Sequence, residues 1–169
     1  MSTGGTASPR PEADPGLHSQ ARKRLVRNPE ENPVTPDLKT IVRSFFADWS
    51  TRDPSVVAAY FAQDGEWTEA NRETARGRDE IRSVLEVQLG FGSEFSFEFR
   101  TIEVCGDVVF TERIDRFLIN GAPMVVRVAG IMEFDDAGKI KAWRDYYDWS
   151  DLERQLLATG IDMSGAEHA

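Results

Sequence analysis

From Pro36-Asp37 onward, apolar residues at Leu38, Ile41, Val42, Phe45, Phe46 and Trp49 recur at spacings of three and four, the stripe of an amphipathic helix. Asp53-Pro54 pairs an N-cap residue with a proline at the first helical position and predicts a second, short helix through Val56, Val57, Tyr60 and Phe61. The two helices should pack as a hairpin. Asp64-Gly65 breaks the pattern, a short extended piece follows around Glu66-Trp67-Thr68-Glu69, and Gly77-Arg78-Asp79-Glu80-Ile81 opens a third helix with Ile81, Val84, Leu85 and Leu89 inward. After Gly92 the period changes to two, because Phe95, Phe97 and Phe99 alternate with Ser96, Glu98 and Arg100 as in a half-buried strand. Gly106-Asp107, Asn120-Gly121 and Asp135-Asp136-Ala137-Gly138 read as hairpin turns, Asn-Gly being the strongest such signal. Four strands at about 95–105, 107–119, 123–134 and 139–149 therefore form an antiparallel meander, and a terminal helix from Ser150-Asp151 ends it. Helices first and hairpins afterwards is an α+β plan, in which three to four helices cover one face of a curved sheet. Such a cone encloses a pocket.

Residues 1–36 hold six of the eight prolines and no aromatic residue, so this segment cannot bury enough apolar surface to offset its ordering entropy. The expected organisation is a disordered tail over 1–36, one catalytic domain over 37–160 and a flexible C-terminus over 161–169. The whole chain carries 20 Lys and Arg against 29 Asp and Glu, a net charge of −9 that speaks against a nucleic-acid partner. No apolar run approaches the roughly 20 residues that span a membrane, and the N-terminus lacks the apolar stretch of a signal peptide. With a single cysteine, Cys105, the reading is a reducing, cytoplasmic setting. The two histidines, His18 and His168, sit in the terminal segments, so the sequence speaks against a nucleophile system built on His, and it has no cluster of Cys and His to hold zinc. Phosphate-cradling glycine runs are absent too. If the chain is an enzyme, carboxylates, Arg and Tyr or Trp must do the chemistry.

Alternation on the strand around 107–119 puts Val109, Thr111, Arg113, Asp115, Phe117 and Ile119 on one face. Trp143, Asp145, Tyr147 and Trp149 share a face of the last strand in the same way. Two carboxylates on largely apolar faces with one Arg nearby suggest a buried Asp-Arg-Asp group. Alternation cannot say which face is inward, and the same spacing suits an exposed ion pair across strands.

The runs Thr111-Glu112-Arg113-Ile114-Asp115 and Trp143-Arg144-Asp145-Tyr146-Tyr147-Asp148 strongly resemble the two strand motifs of the limonene epoxide hydrolase family, within the SnoaL-like and nuclear-transport-factor-like cones. Ala59-Tyr60-Phe61-Ala62-Gln63-Asp64 and Gly77-Arg78-Asp79 match in type and spacing, and the resemblance covers about residues 37–155. It implies hydrolysis of an epoxide in one step, without a covalent intermediate, metal or cofactor. Asp115 would match the acid that protonates the epoxide oxygen, Asp145 the base that deprotonates the attacking water, and Arg113 the group between them. Where the family has a Tyr and then an Asn that hold the water, this chain has Trp67 and Glu69. Trp67 donates but cannot accept. Glu69 could accept from water or act as a second base, or a bulge could bring Asn71 into the role.

Residues expected to line the pocket are Phe117, Val126, Val128, Tyr147, Leu85 and Gln88, a mostly apolar set that implies a small lipophilic epoxide. The resemblance also implies a homodimer formed through the outer face of the sheet. Two alternatives stand beside hydrolysis: an epoxide-opening cyclase or an isomerase or aldol-type cyclase on the same fold, and a non-catalytic binding or dimerisation module. The change at Trp67 and Glu69 favours the first of these over simple hydration.

Overall fold

A computed structural model describes residues 37–70 and 72–160. The expected N-terminal tail, the C-terminal segment after Gly160 and Asn71 lie outside them. Among the described residues, four α-helices stand against one six-stranded curved, unclosed sheet. Helix α1 spans Leu38–Ala47, its N-cap Asp37 accepting from the Thr40 amide, and a 3₁₀ turn at Asp48–Thr51 follows. Helix α2 is Pro54–Ala58, capped by Asp53, which accepts from the Ser55 amide. It stops short of the predicted end because Tyr60 and Phe61 are drawn into pairing: the Tyr60 carbonyl accepts from the Ile140 amide, and Phe61 starts β1, Phe61–Glu69. A three-residue strand β2, Thr74–Arg76, precedes α3, Arg78–Phe91. The Arg78 guanidinium donates twice to the Phe61 carbonyl, at 3.1 and 2.5 Å, and ties α3 to β1.

The meander is β3 (Gly92–Cys105), β4 (Val108–Ile119), β5 (Ala122–Phe134) and β6 (Ile140–Tyr146). Asn120 and Gly121 both have positive φ, 50° and 79°, the requirement of the tight hairpin turn their sequence announces. Strand β3 begins earlier than its alternation suggests. Glu94 takes φ 52° in a bulge between Ser93 and Ser96, after which the ladder continues to Gly92 opposite Ile119. Strand β6 ends earlier, since Asp148 caps α4 (Trp149–Ala158) by accepting from the Asp151 amide. Trp149 therefore opens a helix rather than extending the strand.

The sheet order is β2-β1-β6-β5-β4-β3, antiparallel throughout except for β1 and β6, which run parallel. The inner face carries two apolar clusters. The larger joins α1, the 3₁₀ turn, α2, β1 and α3, with edge-to-face rings of Phe45 on Trp143 at 5.1 Å and Phe46 on Trp143 at 5.7 Å. The smaller packs Leu152 and Leu156 of α4 on Met124, Val126 and Val128 of β5, with Phe117 and Tyr147 beside them. Helix α4 is also pinned to backbone. The Gln155 amide accepts from Val125 N and donates to Val125 O, both at 2.9 Å, where β6 has stopped and left that side of β5 without a strand.

Candidate active site

Between the two clusters lies a row of inner-face residues set by strand register. Thr111 of β4 stands opposite Gly130 of β5, Gly130 opposite Asp145 of β6, and Asp145 beside Glu69 of β1. The missing side chain at Gly130 opens a gap across β5, and the Arg113 guanidinium uses it. A Cβ at Gly130 would lie 2.6 Å from Arg113 Nη1, 2.6 Å from Thr111 Oγ1 and 2.7 Å from Asp145 Oδ1. Arg113, Asp115 and Asp145 are 2%, 9% and 3% exposed, so the ambiguity left by alternation resolves to the inward reading.

Arg113 joins the two carboxylates. Its Nε donates to Asp115 Oδ1 at 2.9 Å and Oδ2 at 3.1 Å, while Nη1 donates to Asp145 Oδ1 at 3.1 Å and Nη2 to Asp145 Oδ2 in a short contact. Nη1 also reaches Thr111 Oγ1 at 3.3 Å. The guanidinium carbon sits 4.6 Å from the centre of the Phe46 ring, which covers its face. Asp145 gains a further donor from Trp143, whose Nε1 lies 2.6 Å from Oδ1. Burial raises the pKa of Asp115 to about 6, against the pull of Arg113 and helped by the charge of Asp145. Burial also raises Asp145, with Arg113 and Trp143 opposing.

Burial works against the charge on both carboxyl groups, and the donors favour keeping it on one of them. Asp145 faces two guanidinium nitrogens and an indole N–H, Asp115 only Nε, so the charge is better held at Asp145 and the proton at Asp115. One proton on Asp115 and one charge each on Asp145 and Arg113 make the buried group neutral, the state an apolar surrounding favours. The group titrates as a unit. It can give a proton at Asp115 and take one at Asp145.

Trp67 stacks on Trp143 with ring centres 4.8 Å apart and planes within 4°, and its buried Nε1 has no hydrogen-bond partner. Half-buried Glu69 accepts from Gln88 Nε2 at 2.6 Å; burial and the charge of Asp145 push its pKa to about 7. The structure thus brings Asp115, Arg113, Asp145, Glu69 and Gln88 together. Phe117, Val126, Val128 and Tyr147 belong to the α4 cluster beside Asp115, and Leu85 is fully buried in the main core. Gly130, Thr111 and Phe46 touch the Arg113 guanidinium, and the sequence reading gave none of them a place in the site. A lone glycine inside an alternating strand, a sign of close approach, was the available signal for the first. Surface depressions open beside α3 and on the outer face of the sheet, and the walls of neither include Asp115 or Asp145. Among the described residues no group of three or more His, Cys, Asp or Glu is placed to hold a metal ion, and no helix is long and apolar enough to cross a membrane.

A sequence profile of the SnoaL-like domain matches residues 42–143. Epoxide hydrolase EphG of Mycobacterium tuberculosis (strain ATCC 25618 / H37Rv) is 29% identical over 133 residues, 79% of this chain and 88% of that protein. The structure of an M. tuberculosis LEH-like epoxide hydrolase superposes with a TM-score of 0.62 at 28% identity, covering 72% of this chain and 90% of that one. A hypothetical protein with a ketosteroid isomerase-like fold from Catenulispora acidiphila DSM 44928, solved in complex with trimethylamine, superposes with a TM-score of 0.63 at 25% identity over 75% of this chain and 95% of the other. The fold is that of these cones, as the strand motifs predict.

Proposed function

Since the chain belongs to the SnoaL-like domain family, we propose that it adds water to a lipophilic epoxide in one step, giving a vicinal diol. The observation that carries this reading is the Arg113 guanidinium bridging two buried carboxyl groups of unequal donor supply. Neutral Asp115 gives its proton to the epoxide oxygen as the strained C–O bond breaks. Asp145 takes a proton from the water that attacks the carbon, so neither a free alkoxide nor a free hydroxide is formed. Arg113 keeps both carboxyl groups in place throughout and needs no proton transfer of its own. Every proton movement falls to side chains of this chain, with no cofactor. The unpartnered N–H of Trp67 supports a donor to the oxygen of the attacking water. The aliphatic and aromatic residues beside Asp115 suit an apolar substrate. A homodimer would meet through the outer sheet face, where Phe110 and Tyr146 stand exposed.

The test is turnover of terpenoid and stilbene-like epoxides in oxygen-18 water. Wild type should give a diol with one heavy oxygen, and Asp115→Asn and Asp145→Asn should each lose at least a hundredfold in rate while melting as folded proteins. Near-normal rates in either variant would remove the acid and base assignment. Trp67 and Glu69 favour one second reading, because neither is the family's water-holding residue: attack by the substrate's own hydroxyl, giving a cyclic ether. That product is an isomer of unchanged mass and carries no heavy oxygen.

A further inference from the structure

Trp67-Thr68-Glu69 on β1 and Trp143-Arg144-Asp145 on β6 are the same three-residue pattern, Trp-x-acid, on parallel strands in register. Trp67 lies beside Trp143, and Glu69 beside Asp145. Adjacent strands lie about 4.8 Å apart, so the two acids are next neighbours across the strand pair, a separation that one water can bridge. Their surroundings differ. Asp145 is sealed at 3% exposure, whereas Glu69 as a residue keeps part of its surface exposed on β1, beside the short edge strand β2, with its carboxyl group desolvated against Gln88.

One turnover leaves the site in the wrong protonation state: Asp115 has given its proton away and Asp145 has gained one. Asp115, whose side chain is 13% exposed, can be recharged from solvent. Asp145 has no such access. Of the groups that contact it, Arg113 stays protonated and Trp143 only donates. Glu69 is the neighbour in the row that can accept. The groups facing Glu69 are Asp145 of β6, Gln88 of α3, Arg72 beyond β1, Tyr147 beyond β6 and Arg113 of β4. Gln88 is the one that fixes its orientation.

We propose that Glu69 is the proton exit of this site: Asp145 passes it the proton taken from water, and Glu69 releases that proton to solvent. The O–H bond of Asp145 breaks as that of Glu69 forms. The Glu69 O–H then breaks to a solvent base, while a solvent acid protonates Asp115, so each cycle has no net gain or loss of protons. Gln88 is a positioning residue for this step. The inference rests on the epoxide-opening reading, in which Asp145 is the base.

Rapid-mixing and steady-state kinetics of wild type, Glu69→Gln and Glu69→Asp test it. Glu69→Gln should complete its first turnover within about threefold of the wild-type rate, show a burst of one product per site, and then fall at least tenfold in kcat. Added acetate or formate should restore that kcat in proportion to its concentration, and Glu69→Asp should keep most of it. An unchanged kcat without buffer dependence would mean that the proton returns by another route. An equal loss in the first turnover would mean that Glu69 acts on the nucleophile itself. Either result overturns the proposal.

A second readout needs no substrate. In carbon-13 spectra of the carboxyl groups, the Asp145 titration in Glu69→Gln should lose the step shared with Glu69 and move to lower pH, where the neighbouring charge is gone, while the step shared with Asp115 remains. Identical Asp145 titrations would overturn the exchange between the two acids even if epoxide turnover is found. Conversely, a coupled titration in a protein that opens no epoxide would sink the reaction and leave the proton link standing.

Discussion

Gly130→Ala would put a methyl group where three side-chain atoms of the site already lie. The contacts would be 2.6 Å to Arg113 Nη1, 2.6 Å to Thr111 Oγ1 and 2.7 Å to Asp145 Oδ1, about 0.7 to 0.8 Å inside the 3.4 Å at which ordinary contact begins. An exposed Arg would swing away. Arg113 cannot do so freely, because it is clamped by two carboxylates and covered by Phe46. Forcing the strands or the guanidinium to yield should cost roughly 1–3 kcal/mol, the usual range for an overpacked site. At about 2–4 °C per kcal/mol for a chain of this size, the melting temperature should fall by roughly 2–12 °C. Activity should suffer more than stability does, since a shift approaching 1 Å in a catalytic group costs on the order of a hundredfold. The assay is kcat/KM on the best epoxide at a temperature where thermal denaturation shows the variant fully folded. A Gly130→Ala protein that keeps kcat/KM within about threefold would refute the claim that the gap across β5 sets the geometry of the acid and base.

Stability should depend on pH in a direction set by the raised carboxyl groups. The fold holds the Asp115 proton up to about pH 6, whereas an ordinary Asp loses it near 3.8, so the folded state binds more protons between these values and stability falls as pH rises through them. Asp115→Asn should flatten that decline, by on the order of 3 kcal/mol for a shift of about two units, as read from denaturant unfolding at pH 4 and pH 7; an unchanged slope would mean that the proton is not held there. If the proposed dimer meets through the outer face, wild type should scatter light as a dimer and Phe110→Glu as a monomer with a cooperative melting profile; a monomeric wild type, or a dimer that persists in the variant, would overturn that contact.

Much of the architecture could be read locally. The stripe of α1, the Asp53 cap and the Asn120-Gly121 turn each follow from neighbours a few residues apart, and all are present. Features that depend on distant pairing were hidden. Nothing in the run Tyr60-Phe61 says that Ile140 will draw it out of a helix into a strand parallel to β6. In Tyr147-Asp148-Trp149, an alternation of period two happens to coincide with a helix start, and only the Asp148 cap decides between them. At the site, the spacing of Arg113, Asp115 and Asp145 was visible, but their inward direction came from resemblance to a family and not from periodicity. Gly130 carried a signal of close approach but not its meaning: a glycine's significance lies in what crosses over it, and that is a side chain 17 residues earlier in the chain.

Helix α4 rests on the inner face of β5, with Leu152 and Leu156 on residues that pair with Arg113, Asp115 and Phe117. A substrate held beside Asp115, as proposed, would meet an apolar surface that α4 already covers. On that reading a guest and the helix would compete for one apolar surface, and an observed dissociation constant would be the intrinsic one divided by the fraction of molecules in which α4 has moved aside. Tight fit inside the cone and weak affinity on the bench are then compatible. The two hydrogen bonds of Gln155 to Val125 would then set how often the site is free, separately from how fast the chemistry runs.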